Sequence, residues 1–357
     1  MLLIGGIVFL AYLHPEFCNR QLDKARGVYY VYKGDKELRK HKLQKAINFY
    51  TRALKLYPQH YGAWYNLGNI YVVYEDYYSA VDAYENAFEH NPKMMVARMN
   101  YGIVSAEKLG DFDGAIKQYD EILKTKRHLL SIPFVYSNRK SYKMNKGLAY
   151  YNKGVAFKQK SIYLNDAYEL RRQYLLEALK AYKEACKILK HDYDARYNLA
   201  LTQHLLGDYR NAGLTYCKAI ELEPMNYEAH YNLAILLRHL KYYKESLDEL
   251  KKASVLVTNS TTENTARQRY VFEVLNEVSR TILTNEDNEM IEKISDEDEQ
   301  SPVTYVNGKM VFTDELDKAI MKNFKVCGAK KIIQQDIDED MGEFDDARYD
   351  MHVPGVE

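Results

Sequence analysis

Five asparagines recur in one local setting. Asn66, Asn100, Asn152, Asn198 and Asn232 each stand two residues before a Gly or an Ala, and Tyr65, Tyr151, Tyr197 and Tyr231 immediately precede four of them. A side-chain amide carries both a donor and an acceptor, the pair that matches the N–H and C=O of an extended peptide. A column of such amides would grip main chain whatever its sequence, and the adjoining tyrosine rings would add the apolar contact common at protein interfaces. The competing reading is that Asn merely fills a solvated slot.

Other chemistry finds no matching residues. The chain has no H-E-x-x-H, no G-x-S-x-G and no G-x4-G-K-[ST], and its one Gly pair, Gly5-Gly6, lies in an apolar run. His60, His90, His191, His204, His230 and His239 are scattered, without metal-ligand spacing. Asp336, Asp338 and Asp340 alternate as in a calcium loop, but the glycine falls one residue late, at Gly342, and Ala347 replaces the closing Glu. Lys33–Lys45 and Lys124–Lys146 are basic without a nucleic-acid reading motif. The expectation is a non-enzymatic chain without cofactor, metal, nucleic acid or small-molecule substrate.

The elements that would carry the asparagines repeat. Residues 61–94 place Trp64, Leu67-Gly68, Tyr71, Tyr77, Ala80, Tyr84, Ala87 and Pro92 in the order W-x2-L-G-x2-Y…A-x3-Y-x2-A…P. Residues 193–226 and 227–260 follow with Asn198-Leu199-Ala200, Ala212, Tyr216, Ala219 and Pro224, then Asn232-Leu233-Ala234, Tyr243, Ser246, Leu250 and Ala253. Three further copies carry insertions: seven residues in the copy before Pro58, one in 95–128 and twelve between Met144 and Asp192. Insertions of seven and twelve are about two and three helical turns, so longer helices are expected there. Small residues at Gly68 and Ala80 would let two helices close up, and tyrosines at helical spacing would fill the gap.

This pattern resembles the tetratricopeptide repeat over roughly residues 20–260. The resemblance implies an all-α, right-handed superhelical solenoid of about six helix pairs with a concave groove, since no single pair can bury its own apolar face. It also implies that the asparagine slot faces the groove, as in the asparagine columns that hold peptides in a eukaryotic glycosyltransferase. Family members that clamp a C-terminal carboxylate use a Lys and Arg set; Arg98 and Arg196 are near those slots, but the full clamp is missing.

The expected organisation is an apolar segment in 1–18, a repeat array over 19–283 and an acidic tail over 284–357. The array has a basic connector at 129–143 containing Pro133. It ends in a capping helix over 261–283, opened by a Ser260/Glu263 capping box. In the tail, Asn307-Gly308 predicts a hairpin over 303–312 and the pattern of 314–325 a short helix. Residues 2–13 are uncharged and predict a single membrane anchor, with Arg20, Lys24 and Arg26 keeping the array on the cytoplasmic side. A secretory signal would want a basic start and an A-x-A site, and a buried first helix is the remaining alternative.

The formal charge is zero, with 50 basic and 50 acidic residues. It divides into a basic body of net +12 and, from Asn285 onward, a tail of net −12. One expectation is that the acidic tail folds back on the body and occupies the groove; a tail kept only for solubility is the other. Cys18, Cys186, Cys217 and Cys327 form no C-x-x-C pair, and no disulfide framework is read from them. The function expected is a scaffold that binds a peptide or protein segment at a membrane. The alternative is a regulatory or targeting subunit of an envelope-synthesis or secretion enzyme complex.

Overall fold

The structure is a computed structural model that describes residues 15–125, 135–164, 167–259, 265–284, 303–306 and 309–312 of the chain. Thirteen helices lie among these residues, and the chain divides into two compact units, Met1–Lys160 and Ser161–Glu357. The first unit holds α1 (Pro15–Leu38), α2 (Leu43–Leu56), α3 (Tyr61–Val73), α4 (Tyr77–His90), α5 (Met95–Lys108), α6 (Phe112–Lys124) and most of α7 (Val135–Ile162). The second holds α8 (Tyr168–Ile188), α9 (Tyr193–Leu205), α10 (Tyr209–Leu222), α11 (Tyr227–His239), α12 (Tyr243–Asn259) and α13 (Thr265–Thr284). Strands β1 (Val303–Val306) and β2 (Lys309–Phe312) pair antiparallel, Val303 opposite Phe312.

Consecutive helices pack as pairs: α1 on α2, α3 on α4, α5 on α6, α9 on α10 and α11 on α12. Within a pair the second helix presents Ala, Tyr and Ala at helical spacing, and these are buried: Ala46, Tyr50 and Ala53 in α2, Ala80, Tyr84 and Ala87 in α4, Ala212, Tyr216 and Ala219 in α10. Each ring needs a gap in the facing helix. A Cβ on Gly34, Gly68 or Gly102 would stand 2.6 Å from Cε1 of Tyr50, Tyr84 or Tyr119 respectively, so glycine at this slot is what admits the tyrosine.

The turns repeat as well. His41, Glu75, Gly110, Gly207 and Lys241 all adopt positive φ just after a first helix, the left-handed stop that ends helices. Asp76 and Asp111 then cap the next helix by accepting from the backbone N–H three residues on, and Asp192 caps α9 in the same way.

The inserted residues appear as extra helix: α1 has 24 residues, α7 28 and α8 21, against 13 or 14 in α2 to α6 and α9 to α11. The expected connector at 129–143 is helical from Val135 onward, because nothing after Pro133 breaks a helix. In the first unit, α7 is tied to α6 by Lys153 to Asp120 at 2.6 Å and by Lys146 Nζ donating to the Leu123 carbonyl at 2.8 Å. In the second, α13 follows α12 as an end cap and buries Val271, Val274, Leu275 and Val278.

Among the described residues no helix is long and apolar enough to cross a membrane. The expected anchor at 2–13, the Ser260/Glu263 box and the helix expected at 314–325 lie outside the described residues.

Candidate functional site

In the first unit the asparagines sit where one helix pair meets the next. Asp35 Oδ1, on α1, accepts from the Tyr50 hydroxyl of α2 at 2.7 Å and from Asn66 Nδ2 of α3 at 3.1 Å. Asn66 Nδ2 is also 3.1 Å from the Tyr50 oxygen. One repeat later, Asn69 Oδ1 accepts from the Tyr84 hydroxyl of α4 at 2.8 Å and from Asn100 Nδ2 of α5 at 3.1 Å. Asp35 and Asn69, Tyr50 and Tyr84, and Asn66 and Asn100 are each 34 residues apart, so one three-membered clasp is built twice.

Burial, and for Tyr50 the nearby Asp35 carboxylate, raises both phenol pKa values, that of Tyr84 to about 12. The hydroxyls therefore stay protonated donors. The clasp ends where its acceptor is replaced: the next slot in α5 is Ile103, and Asn152 Nδ2 rests instead 3.2 Å from Met99 Sδ.

Asp35 and Asn69 were missed by the sequence analysis. The available signal was an acceptor side chain recurring at 34 residues with a tyrosine fifteen positions later.

Each clasp uses an amide hydrogen and leaves the Oδ1 atoms of Asn66 and Asn100 without a hydrogen bond among the described residues. Tyr65, Asn66, Asn69, Asn100 and Tyr101 are half-buried, and Val73 at the end of α3 is 65% exposed. This face offers carbonyl acceptors and aromatic surface to a guest, and no nucleophile with its base. Tyr151 and Asn152 of α7 are half-buried too.

The second unit differs from expectation. Asn198 donates to the Asp194 carbonyl of its own helix at 2.9 Å, and Asn232 donates to the Tyr197 hydroxyl at 2.6 Å. Asn198, Asn232, Tyr197 and Tyr231, all expected on an open groove, are buried, Asn232 completely. Asn232 and Tyr197 tie α9 to α11, and all four leave little surface for a guest.

The polar core of the second unit is structural in character. Glu249 of α12 takes His230 Nδ1 at 2.6 Å and Lys252 Nζ at 2.7 Å, while His230 Nε2 faces the Pro224 carbonyl at 3.0 Å. All three side chains are buried, out of reach of a substrate. Among the described residues no group of three His, Cys, Asp or Glu is placed to hold a metal ion. Cys18 and Cys186 are free, but Cys217 is disulfide-bonded, which corrects the reading of four unbridged cysteines; its partner lies outside the described residues.

Family models of the tetratricopeptide repeat match residues 33–73, 61–94 and 193–226. Solved structures are similar at the level of the fold. YrrB, described as a TPR protein with an unusual peptide-binding site, is 22% identical over 55% of this chain and 85% of its own, with a TM-score of 0.39. PilF of Pseudomonas aeruginosa is 14% identical over 70% and 99% of the two chains, with a TM-score of 0.49. PilW, described as a type IV pilus biogenesis factor, is 15% identical over 74% and 97%, with a TM-score of 0.40. No curated protein matches in sequence.

Proposed function

Because the chain is a tetratricopeptide-repeat protein, a class of interaction scaffold, we propose that its first unit holds an extended protein segment across α1, α3 and α5. The observation that supports this is the repeated clasp. It fixes the amides of Asn66 and Asn100 at one orientation while keeping Oδ1 available, so two acceptors recur at repeat spacing on a half-open face. An extended guest would donate backbone N–H groups to these oxygens and lay apolar side chains on Tyr65 and Tyr101. The rigid setting also lowers the cost of ordering, since the receptor side chains are already held. Asn152 and Tyr151 extend the same face toward α7. Asn198, Asn232, Tyr197 and Tyr231 are assigned to packing between repeats.

A displayed library of short random peptides, selected on the full chain, tests this. Enriched peptides should bind the wild type and lose at least about tenfold in affinity with Tyr65→Ala or Asn100→Ala, each at unchanged repeat helicity. Selection of no peptide, or affinity indifferent to both substitutions, overturns the reading.

Attachment to a membrane through the uncharged run 2–13 belongs to the same proposal and rests on sequence alone. It predicts that the full chain pellets with membranes and that a chain lacking residues 1–18 does not; equal partition of both removes the anchor from the proposal.

A further inference from the structure

Helix α1 is apolar on two opposite faces. One is packed: Gly27, Val31 and Gly34 are buried, with Tyr57 standing close to Gly27 and the Tyr50 ring of α2 close to Gly34. At 3.6 residues per turn the opposite face carries Leu22, Ala25, Tyr29 and Tyr32, at steps of three and four, with Phe17 and Val28 beside them. Phe17, Leu22, Val28, Tyr29 and Tyr32 are 47% to 59% exposed, and Ala25 is exposed too. The stripe is open to solvent.

Its slots are those that an earlier repeat would fill. In α3, Ala63, Leu67 and Ile70 are buried in one cluster with Val31, Tyr50 and Leu54 of the pair before. Counting back 34 residues, the same slots in α1 hold Tyr29, Lys33 and Lys36. Two ammonium groups cannot be buried against an earlier helix pair as Leu67 and Ile70 are. The surface is therefore not built to continue the array. Nor is it a polar end such as a solenoid turns to water, the kind seen on α13, which exposes Glu273, Asn276, Glu277 and Arg280.

Charge selects the occupant. Arg26 and Lys33, seven apart, run along one edge of the stripe, Arg20 and Lys24, four apart, along the other, and Lys36 lies at its end. Lys33 Nζ sits 5.3 Å from the centre of the Tyr29 ring. Glu16 and Asp23 meet Arg20 and Arg26 at 3.9 and 3.6 Å, but these are exposed pairs of the weak kind, and Asp35 is engaged in its clasp. A second copy of the helix would set basic edge against basic edge. Cations on both sides of a Tyr, Phe and Leu stripe suit the head-group layer of an anionic bilayer, where rings lie at the boundary and ammonium groups meet phosphate. In the sequence, the uncharged run 2–13 ends just ahead of α1.

We propose that α1 lies in the plane of an anionic phospholipid surface, with Tyr29 and Tyr32 toward the lipid. This rests on the reading that the chain meets a membrane through 2–13, and adds to it a second contact that depends on lipid charge. The first unit is then held by one end against the bilayer, instead of swinging from a single point.

The test mixes the full chain with vesicles of phosphatidylcholine and phosphatidylglycerol in equal parts, carrying a trace of phospholipid with a photoreactive acyl chain. After illumination the protein is digested with trypsin. Cleavage after Arg26 and Lys33 isolates residues 27–33, and cleavage after Arg20 isolates 1–20. Lipid should be attached to 27–33, and at least about fivefold less of it when the vesicles are phosphatidylcholine alone. No attachment to 27–33, or equal yield from the two kinds of vesicle, overturns the proposal. In a second arm, Tyr29→Glu and Tyr32→Glu are combined. Attachment to 27–33 should fall by about tenfold or more, while amide exchange in 61–73 stays unchanged as the folded control. An undiminished yield overturns the proposal as well. The vesicle comparison needs no substitution and decides alone if the variant does not fold. Attachment within 2–13 scores the anchor separately, so either contact can fail while the other stands.

Discussion

The ring of Tyr84 lies where a Cβ of residue 68 would be. Built on Gly68, that atom would stand 2.6 Å from Cε1, 2.7 Å from Cδ1 and 3.0 Å from Cζ of Tyr84. The ring is buried and stiff, so it cannot swing aside as the end of a lysine would. Gly68→Ala should gain about 1 kcal/mol in helix propensity and lose about 1–3 kcal/mol to overpacking. Because three ring atoms are affected at once, the loss should win. The urea midpoint should fall, and an equal or higher midpoint would show that the helices separate without cost.

The clasp around Asp35 makes a second prediction. Asp35→Ala leaves the Tyr50 hydroxyl and the Asn66 amide without their shared acceptor, which should cost about 1–3 kcal/mol. Asn66→Ala should cost less, since Asp35 keeps the Tyr50 donor at 2.7 Å. In a double-mutant cycle the two changes should couple by at least about 0.5 kcal/mol. Additive losses would mean that the two side chains meet without stabilising each other.

Much of this was legible in the sequence, because the repeat signature is itself a packing rule. Gly68 and Tyr84 were read as a small slot and a filler, and the structure sets one against the other. The insertions became longer helices for the reason expected, that a few whole turns extend a helix without rotating its buried face. The orientation of the asparagines was not legible. Whether an amide meets a guest or a neighbouring repeat depends on what stands one repeat earlier: Asp35 and Asn69 capture Asn66 and Asn100, while the Tyr197 hydroxyl captures Asn232. Nor could a single sequence show that α9 is covered on all sides. Its residues carry the same alternation as those of α3, yet in α9 Thr202, Gln203 and His204 are buried as well as Leu199 and Leu201.

The buried cluster of the second unit should be intolerant of partial removal. Burial alone would raise the Glu249 carboxyl, but hydrogen bonds and charge from His230 and Lys252 outweigh it and hold the group below its ordinary range. Glu249→Ala removes the carboxylate that His230 and Lys252 share, and should cost about 3–5 kcal/mol. Replacing Glu249 and Lys252 together by leucines should recover part of that loss, the part due to Lys252, since His230 still lacks its acceptor. If the single substitution were as mild as the double, the carboxylate would be contributing packing alone. The sign with pH follows from the lowered carboxyl: this contribution is present above the ordinary glutamate range and is lost as pH falls through the folded value.

His204 gives the opposite kind of group, a base kept neutral. Burial first, then the nearby His239, lowers its imidazole from the ordinary 6.5 to about 3, and neither ring nitrogen has a hydrogen-bond partner among the described residues. The rings of Tyr209 and Tyr216 meet it edge-on at 5.7 and 6.2 Å. A depressed folded pKa means that the unfolded chain binds the proton more readily. Stability should therefore be full above the ordinary value and should fall as pH drops from there towards the folded one, by about 1.4 kcal/mol per unit. Asp194 and Asp248, whose carboxyls are raised by burial, pull the other way at low pH, so the wild-type curve alone mixes signs. The comparison with His204→Phe removes them. Phe keeps the ring contacts without a proton site, so the difference in unfolding free energy between variant and wild type should be small at pH near 7 and grow in the variant's favour as pH falls. A difference that does not change with pH would place His204 in contact with water and remove the burial on which its neutrality depends.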